Sequence, residues 1–556
     1  MSGLGPRDIA LEKLAATVTS EPLDVLVVGG GITGAGIALD AASRGATVGL
    51  VEGRDFASGT SSKSSKLVHG GLRYLEQREF GLMREACTER DLLRRLAPHL
   101  VEPIPFVLPV SQRSTRAKLG VGLWAYDALA SFRNMKIHKH IDPSEAEELV
   151  PPLPKGKVRG GYLFYDCKND DVRLVMENLV QARRYGATVV NHAAVRHLDG
   201  KEGDCRALIE DTPTATVFEV RARRVVVAAG VWADRVEGLA RADARPRLRP
   251  SKGIHLVFDR TTLPLQDAAA FIPDADRERM LFVIPWLDAV IVGTTDETYE
   301  GDLDTPSVTD PDRDYVLSSL NSAFALELTA TDIVGAYAGL RPLIASKQGA
   351  TADLSRRHSV YDIAPGIIGI TGGKLTTYRR MAADAVDRLS QDGGISSRSR
   401  TRWIRLGSHD PETLTRAVER RAARLGIGRD SVESLVRCYG DRSLAVIDVA
   451  EKSDNPLPLV EGHPPLAAEA AYCAQEEMVV DLDDLLARRT RMALVDRAAG
   501  IGTGRRASAY LADALAWSAD EHDRQILAYR AEVEQERGRP LGETPPLERP
   551  TRTQTG

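Results

Sequence analysis

Residues 24–52, DVLVVGGGITGAGIALDAASRGATVGLVE, limit the fold more than any other stretch. DVLVV is a continuous apolar run, as in a strand buried on both faces of a parallel sheet. Gly29, Gly31 and Gly34 follow at once as GxGxxG. A helix is expected from there to about Arg44, stopped by Gly45. ATVGLV then reads as a second strand, and Glu52 ends it, 23 residues after Gly29. Strand, glycine turn, helix, strand and acid form a complete dinucleotide site. The glycines admit a pyrophosphate to the backbone, the helix N-terminus offers it free N–H groups, and Glu52 can accept from a ribose hydroxyl. A carboxylate there favours a 2′-hydroxyl over a 2′-phosphate.

The rhythm returns. In 170–195 Asp170 or Asp171 can cap a helix with Val172, Val175, Met176, Leu179 and Val180 on its apolar face, and Gly186 stops it before ATVVNHAAV. VFEVRARRVVVAAGVWAD (217–234) reads as a hairpin-like pair ending at Ala229 and Gly230, and 367–389 is again strand, glycine turn and helix. Only one complete fingerprint is present. Its place near the N-terminus, with later returns to glycine-bearing strand ends, suits FAD, whose length needs several segments to cover it. GIGTG (500–504) has no strand before it and reads as a helix–helix turn.

A chain of 556 residues is too long for one core, and at about 100–200 residues per domain it holds several. The expected class is α/β. A Rossmann-type FAD-binding domain lies in three pieces (23–100, 166–245, 346–390), after an extension (1–22). A mostly antiparallel substrate or cap domain lies in two (101–165, 246–345). A linker (391–400), an all-helical C-terminal domain (401–537) and a disordered tail (538–556) complete it. The net charge of −5 argues against a nucleic-acid partner. Five cysteines without a CxxC pair suggest a reducing compartment. The polar N-terminus shows no signal peptide, and no apolar run reaches the roughly 18 residues of a membrane span. The expected location is the cytoplasm.

TSSKSSKLVHGGLRYLE (60–76) gathers Lys63, Lys66, His69 and Arg73 before its one acid, Glu76. Clustered cations repel unless an anion lies among them. Lys66, His69 and Arg73 have the spacing of one helix face, but Gly70 and Gly71 oppose a regular helix. The segment 60–71 is therefore read as a loop lying against a flat ring, with Arg73 and Tyr74 projecting into a substrate pocket.

That stretch resembles the FAD-dependent glycerol-3-phosphate dehydrogenase family, the respiratory, quinone-linked kind. So do DVLVVGGGITGAGIALDAASRG, FVIPWLDAVIVGTTD (282–296), YAGLRPL (337–343) and GITGGKLTTYRRMA (369–382), and DLDDLLARRTRMAL (481–494) resembles the family's terminal domain. The resemblance implies oxidation of sn-glycerol 3-phosphate to dihydroxyacetone phosphate. It implies His255 as the base, with Arg73, Arg341 and Lys374 around the phosphate and the C2 oxygen and their division of roles open. Tyr74 and Thr376 join the substrate set. The implied flavin contacts are Ser62, Ser65, Lys66, Leu67, Val195, Ala229, Gly230, Gly372, Gly373, Lys374, Leu375 and Thr376, beside the fingerprint residues. It further implies non-covalent FAD, with His69 unlinked.

RAKLGVGLWAYDALASFRNMK (116–136) is apolar, carries Trp124 and Tyr126, and has basic flanks. It fits a helix lying in a membrane surface, where the family's quinone acceptor resides, or a buried helix. No metal set stands out; HKH at 138–140 sits in a basic patch. Rival readings are a glycerol-3-phosphate oxidase using oxygen, a flavin amine or amino-acid oxidase, and a non-catalytic flavin-binding sensor. The cations at 73, 341 and 374 argue for a phosphate and against the last two. For the C-terminal helices, dimerisation into a homodimer, regulation and partner binding stay open.

Overall fold

Two sheets and a helical region organise the chain. The computed structural model describes residues 3–71, 79–110, 120, 122–124, 136–241, 243, 246–274, 279–344, 358–390, 395, 398–408, 410–453, 456–502 and 506–541. Arg73, Tyr74, most of 116–136 and most of the tail lie outside the described residues, as do the last two positions of GIGTG.

The strand Leu23–Val28 forms the middle of an eight-stranded sheet. Val25 to Val28 are buried because parallel neighbours flank the strand, Val48–Val51 on one side and Thr216–Val227 on the other. Thr188–Val190 extends the sheet at one edge; Ile367–Thr371 and Ser359–Ala364 extend it at the other. The helix Ile32–Ser43 crosses between the first two strands and packs against the helices Asp171–Arg184 and Tyr378–Ser390. Asp170 caps the first of these, its side chain accepting from Arg173 N, and Gly186 at φ 98° ends that unit.

VFEVRARRVVV is not a hairpin. It lies in the single strand Thr216–Val227, whose first half pairs antiparallel with Cys205–Asp211 and whose second half enters the parallel sheet. The stretch contains no turn residue, and Val220 and Ala222 are buried between more exposed arginines at the period of two that a strand requires. The turn falls earlier, after Asp211.

The second sheet has ten strands, joined antiparallel except where Ala269–Pro273 meets Val101–Pro109. Gly161–Asn169 belongs wholly to it and pairs with Leu67–Val68 of the cationic loop, so the sheet runs through the expected division at 165/166.

Beyond residue 400 the regular elements are helical, from Pro411–Ala422 to Ala519–Arg537. They share one core with the second sheet: Val257, Ile284 and Ile291 cluster with Leu485, Leu486 and Leu494. Buried ion pairs bind the region to the first sheet's helices. Arg173 and Arg442 both reach Glu477 (2.9 and 2.7 Å), and Arg442 also reaches Glu177 (2.7 Å). Arg489 donates to both oxygens of Asp55 at 2.6 and 2.9 Å. Asp55, His192 and Asp484 bring ligand atoms within 4.8 Å of one another, but Arg488 and Arg489 occupy the carboxylates, which makes the group an ion-pair network. Among the described residues no helix is long and apolar enough to cross a membrane.

Candidate active site

The parallel strands end in glycine-bearing turns on one side of the first sheet, where open α/β sheets bind ligands. Gly29 has φ 117°, and a methyl group on it would lie 2.5 Å from the Ala228 carbonyl oxygen. Gly34 is tighter: its methyl would stand 1.8 Å from Gly29 O, so the helix and strand meet only without a side chain there. Gly30 N donates to Glu52 Oε2 (2.6 Å) and Arg54 N to Oε1 (2.9 Å). Burial raises the Glu52 carboxyl pKa, and these two donors oppose the rise. Ile32 N donates to Ser61 Oγ (2.9 Å), a helix-starting contact that the sequence signalled only as one serine among four.

These turns border a cavity of about 1310 Å³. Typical small-ligand sites measure roughly 300–1,000 Å³, so this one has the size a long dinucleotide needs. Gly29, Gly31, Glu52, Val195, Ala229, Gly230, Gly372, Gly373, Lys374, Leu375 and Thr376 line it, as do Ser65 and Leu67. A glycine cradle and a helix N-terminus on one long cavity fit FAD.

The second sheet supplies the opposite wall. Ser251–Asp259 and Ile333–Arg341 pair antiparallel, with His255 opposite Tyr337, Gly253 opposite Gly339 and Ser251 opposite Arg341. Residues two apart on a strand share a face, so His255 and Arg341 project to the same side with two glycines between them. The space is used: a methyl on Gly253 would fall 2.3 Å from Arg341 Nη2. Arg341 Nη1 reaches Ser251 Oγ and Asp296 Oδ1 at 3.2 Å each, and Nη2 reaches Thr294 Oγ1 and Thr295 O at 3.0 Å each. The guanidinium is thus fixed before any ligand arrives. Thr294 and Asp296 line the cavity beside it; their signal was the TTD that closes FVIPWLDAVIVGTTD.

His255 is buried, and its Nε2 lies 2.8 Å from Ser65 Oγ. Its ring stacks on Tyr337, with centroids 4.8 Å apart and planes at 14°. Burial first, then the charges of Arg341 and Lys66, hold its pKa well below the ordinary histidine range. The imidazole of the free enzyme is therefore neutral. Its Nδ1 has no hydrogen-bond partner among the described residues.

Lys374 enters from the first sheet. It precedes the turn Leu375–Thr377 that opens the helix Tyr378–Ser390, and burial lowers its pKa to about 7. His69 N donates to Thr376 Oγ1 (3.2 Å), which ties this turn to the cationic loop.

The cationic loop solves its charge problem internally. Lys63 pairs with Glu536. Lys66 turns from the cavity, donates to both Asp171 oxygens at 2.9 and 2.8 Å and to Ser62 O at 2.5 Å, and is fully buried. The side chains of Lys66 and Ser62, expected against the flavin, therefore lie outside the cavity lining, while Ser64, Ser65, Leu67, His69 and Gly71 form it. A lysine so deep in the protein needs a carboxylate, and the carboxylate lies 105 residues further on.

Residues 24–379 match the family model for FAD dependent oxidoreductases, and residues 399–522 match that for the C-terminal domain of alpha-glycerophosphate oxidase. The chain is 40% identical to glycerol-3-phosphate dehydrogenase 2 of Mycobacterium tuberculosis, over 96% of its own length and 92% of the relative's. The chain belongs to the FAD-dependent glycerol-3-phosphate dehydrogenase family. Aerobic glycerol-3-phosphate dehydrogenase of Bacillus subtilis is 36% identical over 86% of this chain and 89% of that one. The crystal structure of the Bacillus halodurans glycerol-3-phosphate dehydrogenase complexed with FAD superposes with a TM-score of 0.78 at 31% identity, covering 96% of this chain and 98% of that one. Like the rest of this dehydrogenase family, the chain is an FAD-dependent oxidoreductase. Its Rossmann-type cofactor sheet, second sheet and helical C-terminal region are the family's architecture.

Proposed function

We propose that the chain oxidises sn-glycerol 3-phosphate to dihydroxyacetone phosphate in this cavity and passes the electrons to a membrane quinone. The observation that carries the reading is that His255, Arg341 and Lys374 all line the cavity that the dinucleotide turn borders. FAD, when bound, supplies the acceptor for the hydride leaving C2. His255 takes the C2 hydroxyl proton, a role that needs its lowered pKa to rise when the substrate binds. Arg341 and Lys374 hold the phosphate by their charge, Arg341 from a guanidinium already seated on Ser251, Thr294 and Asp296 and Lys374 as a point charge. The dianion raises the pKa of both Lys374 and His255 as it binds, because it favours their charged forms. Thr376, and Arg73 and Tyr74 by the sequence reading, complete the substrate contacts. The protein works from the cytoplasm, at the inner face of the membrane, held there through 116–136.

The second reading is an oxidase that passes electrons to oxygen, favoured by the name of the family that the C-terminal region matches. Turnover of the purified holoenzyme with sn-glycerol 3-phosphate separates them, with a soluble quinone analogue under argon in one arm and oxygen in the other. Quinone reduction is expected to outpace peroxide formation. Peroxide formation as fast as quinone reduction would make the enzyme an oxidase.

A further inference from the structure

We propose that Arg491, in the helical C-terminal region, is a positioning residue for the reaction: through Asp171 it fixes Ser64–Lys66 and so holds the Ser65 hydroxyl against His255. The proposal rests on the reading of His255 as the proton acceptor.

Asp171 is the hub. Its side chain is fully buried. It accepts from Lys66 Nζ at 2.9 and 2.8 Å, from Ser64 Oγ at 2.6 Å, from Ser64 N at 3.3 Å and from Arg491 Nη2 at 2.9 Å. Arg491 also binds Asp170, so two cations face two carboxylates inside the protein. Lys66 and Arg491 both stand at positive φ, 57° and 67°, without being glycine. Such conformations persist only where the surroundings over-determine them, and here the surroundings are this ion cluster.

Two contacts that orient His255 end on the segment that Asp171 holds. Ser65 Oγ meets His255 Nε2 at 2.8 Å. Tyr337, whose ring stacks on the imidazole, donates its hydroxyl to Ser64 O at 2.8 Å. Lys66 Nζ further lies 5.1 Å from the centre of the Tyr337 ring. A shift of Asp171 therefore reaches the imidazole edge through Ser65, while the ring face stays held by Tyr337, which its own strand sets opposite His255. Arg491 is seated independently of the loop, with Nη1 donating to Ala487 O at 3.3 Å and the guanidinium over Trp286 at 5.9 Å. The C-terminal region thus supplies a fixed point to a loop that the second sheet also holds, through Leu67–Val68 and the Tyr337 hydroxyl.

The test is a mutant cycle on the holoenzyme with Ser65→Ala, Arg491→Lys and their combination. Arg491→Lys keeps the charge and loses the fork that spans both carboxylates. Rapid anaerobic mixing with sn-glycerol 3-phosphate reads the rate of flavin bleaching. Each single change is expected to slow bleaching about 10-fold, as small misplacements of reacting groups do. The double variant is expected to be no more than about 2-fold slower than Ser65→Ala alone, because Arg491 acts through Ser65. Factors that multiply overturn the proposal, since a general structural loss acts equally in both backgrounds. A crystal structure of the Arg491→Lys holoenzyme reads the same point without turnover: the Ser65–His255 hydrogen bond is expected to be lost, and its retention overturns the proposal. If Arg491→Lys does not fold, Ser64→Ala, which removes one donor to Asp171 and no charge, takes its place in both arms. A wild-type flavin that glycerol 3-phosphate does not bleach overturns the proposed reaction, and the crystal structure still decides the positioning.

Discussion

Lys374 combines two demands that oppose each other. A phosphate site needs its charge, while burial brings its pKa to about 7. In the free enzyme it is charged below that pH and neutral above it. The substrate's own second phosphate pKa lies near 6, so above pH 7 the ligand stays dianionic, and of the two cations proposed for the phosphate Lys374 is the one that changes. KM for glycerol 3-phosphate should therefore rise with pH between about 7 and 9. In Lys374→Met that slope should vanish, with KM at pH 6.5 about 10- to 100-fold higher, the worth of one charge-assisted hydrogen bond. Steady-state KM across this range checks both. An unchanged slope in the variant would remove Lys374 from the phosphate site.

Legibility at this scale followed chain distance. Gly29, Gly31, Gly34 and Glu52 form one local pattern, and their roles could be read from spacing. Lys66 could not be placed, because its position among other cations suggested an exposed ligand-binding group while its partner Asp171 lies in another segment. Ser61 and Arg491 lie inside TSSKSSKLVHGGLRYLE and DLDDLLARRTRMAL, but nothing local marks them out there, since what they do depends on which groups they meet after folding.

At the scale of elements, the strand–turn–helix units were legible because glycine and apolar runs punctuate them. The long strand Thr216–Val227 was split in the reading because AAG follows it closely and its two halves have different neighbours. The irregular turn Asp484–Arg489 was read only as part of a helical domain, although it carries the arginines that enter the first sheet's territory. Arg489 shows what this attachment is worth. Its removal leaves the buried Asp55 carboxylate with Arg488 as its remaining ion-pair partner among the described residues. Breaking a buried pair from one side costs about 3–5 kcal/mol. Arg489→Met should lower the thermal unfolding midpoint of the holoenzyme clearly, because Asp55 and Glu477 each lose a buried partner. A midpoint that stays at the wild-type value would show that the contact contributes little to stability.

At the scale of the molecule, two sheets meet with a cofactor cavity between them, and the C-terminal helices share the second sheet's core. The division of labour follows from this arrangement. The first sheet's strand ends provide the dinucleotide cradle and Lys374; the second sheet's face provides His255 and Arg341. Neither sheet holds the whole proposed site, so the chemistry requires both.

The most direct test is anaerobic addition of sn-glycerol 3-phosphate to the yellow holoenzyme, followed at the oxidised-flavin absorbance band, with glycerol as the matched control. Prompt bleaching by glycerol 3-phosphate and none by glycerol at the same concentration is the expected result. A flavin that stays oxidised with glycerol 3-phosphate, or that both compounds bleach equally, would contradict a site built to grip a phosphate with Arg341 and Lys374 on the cavity that His255 lines.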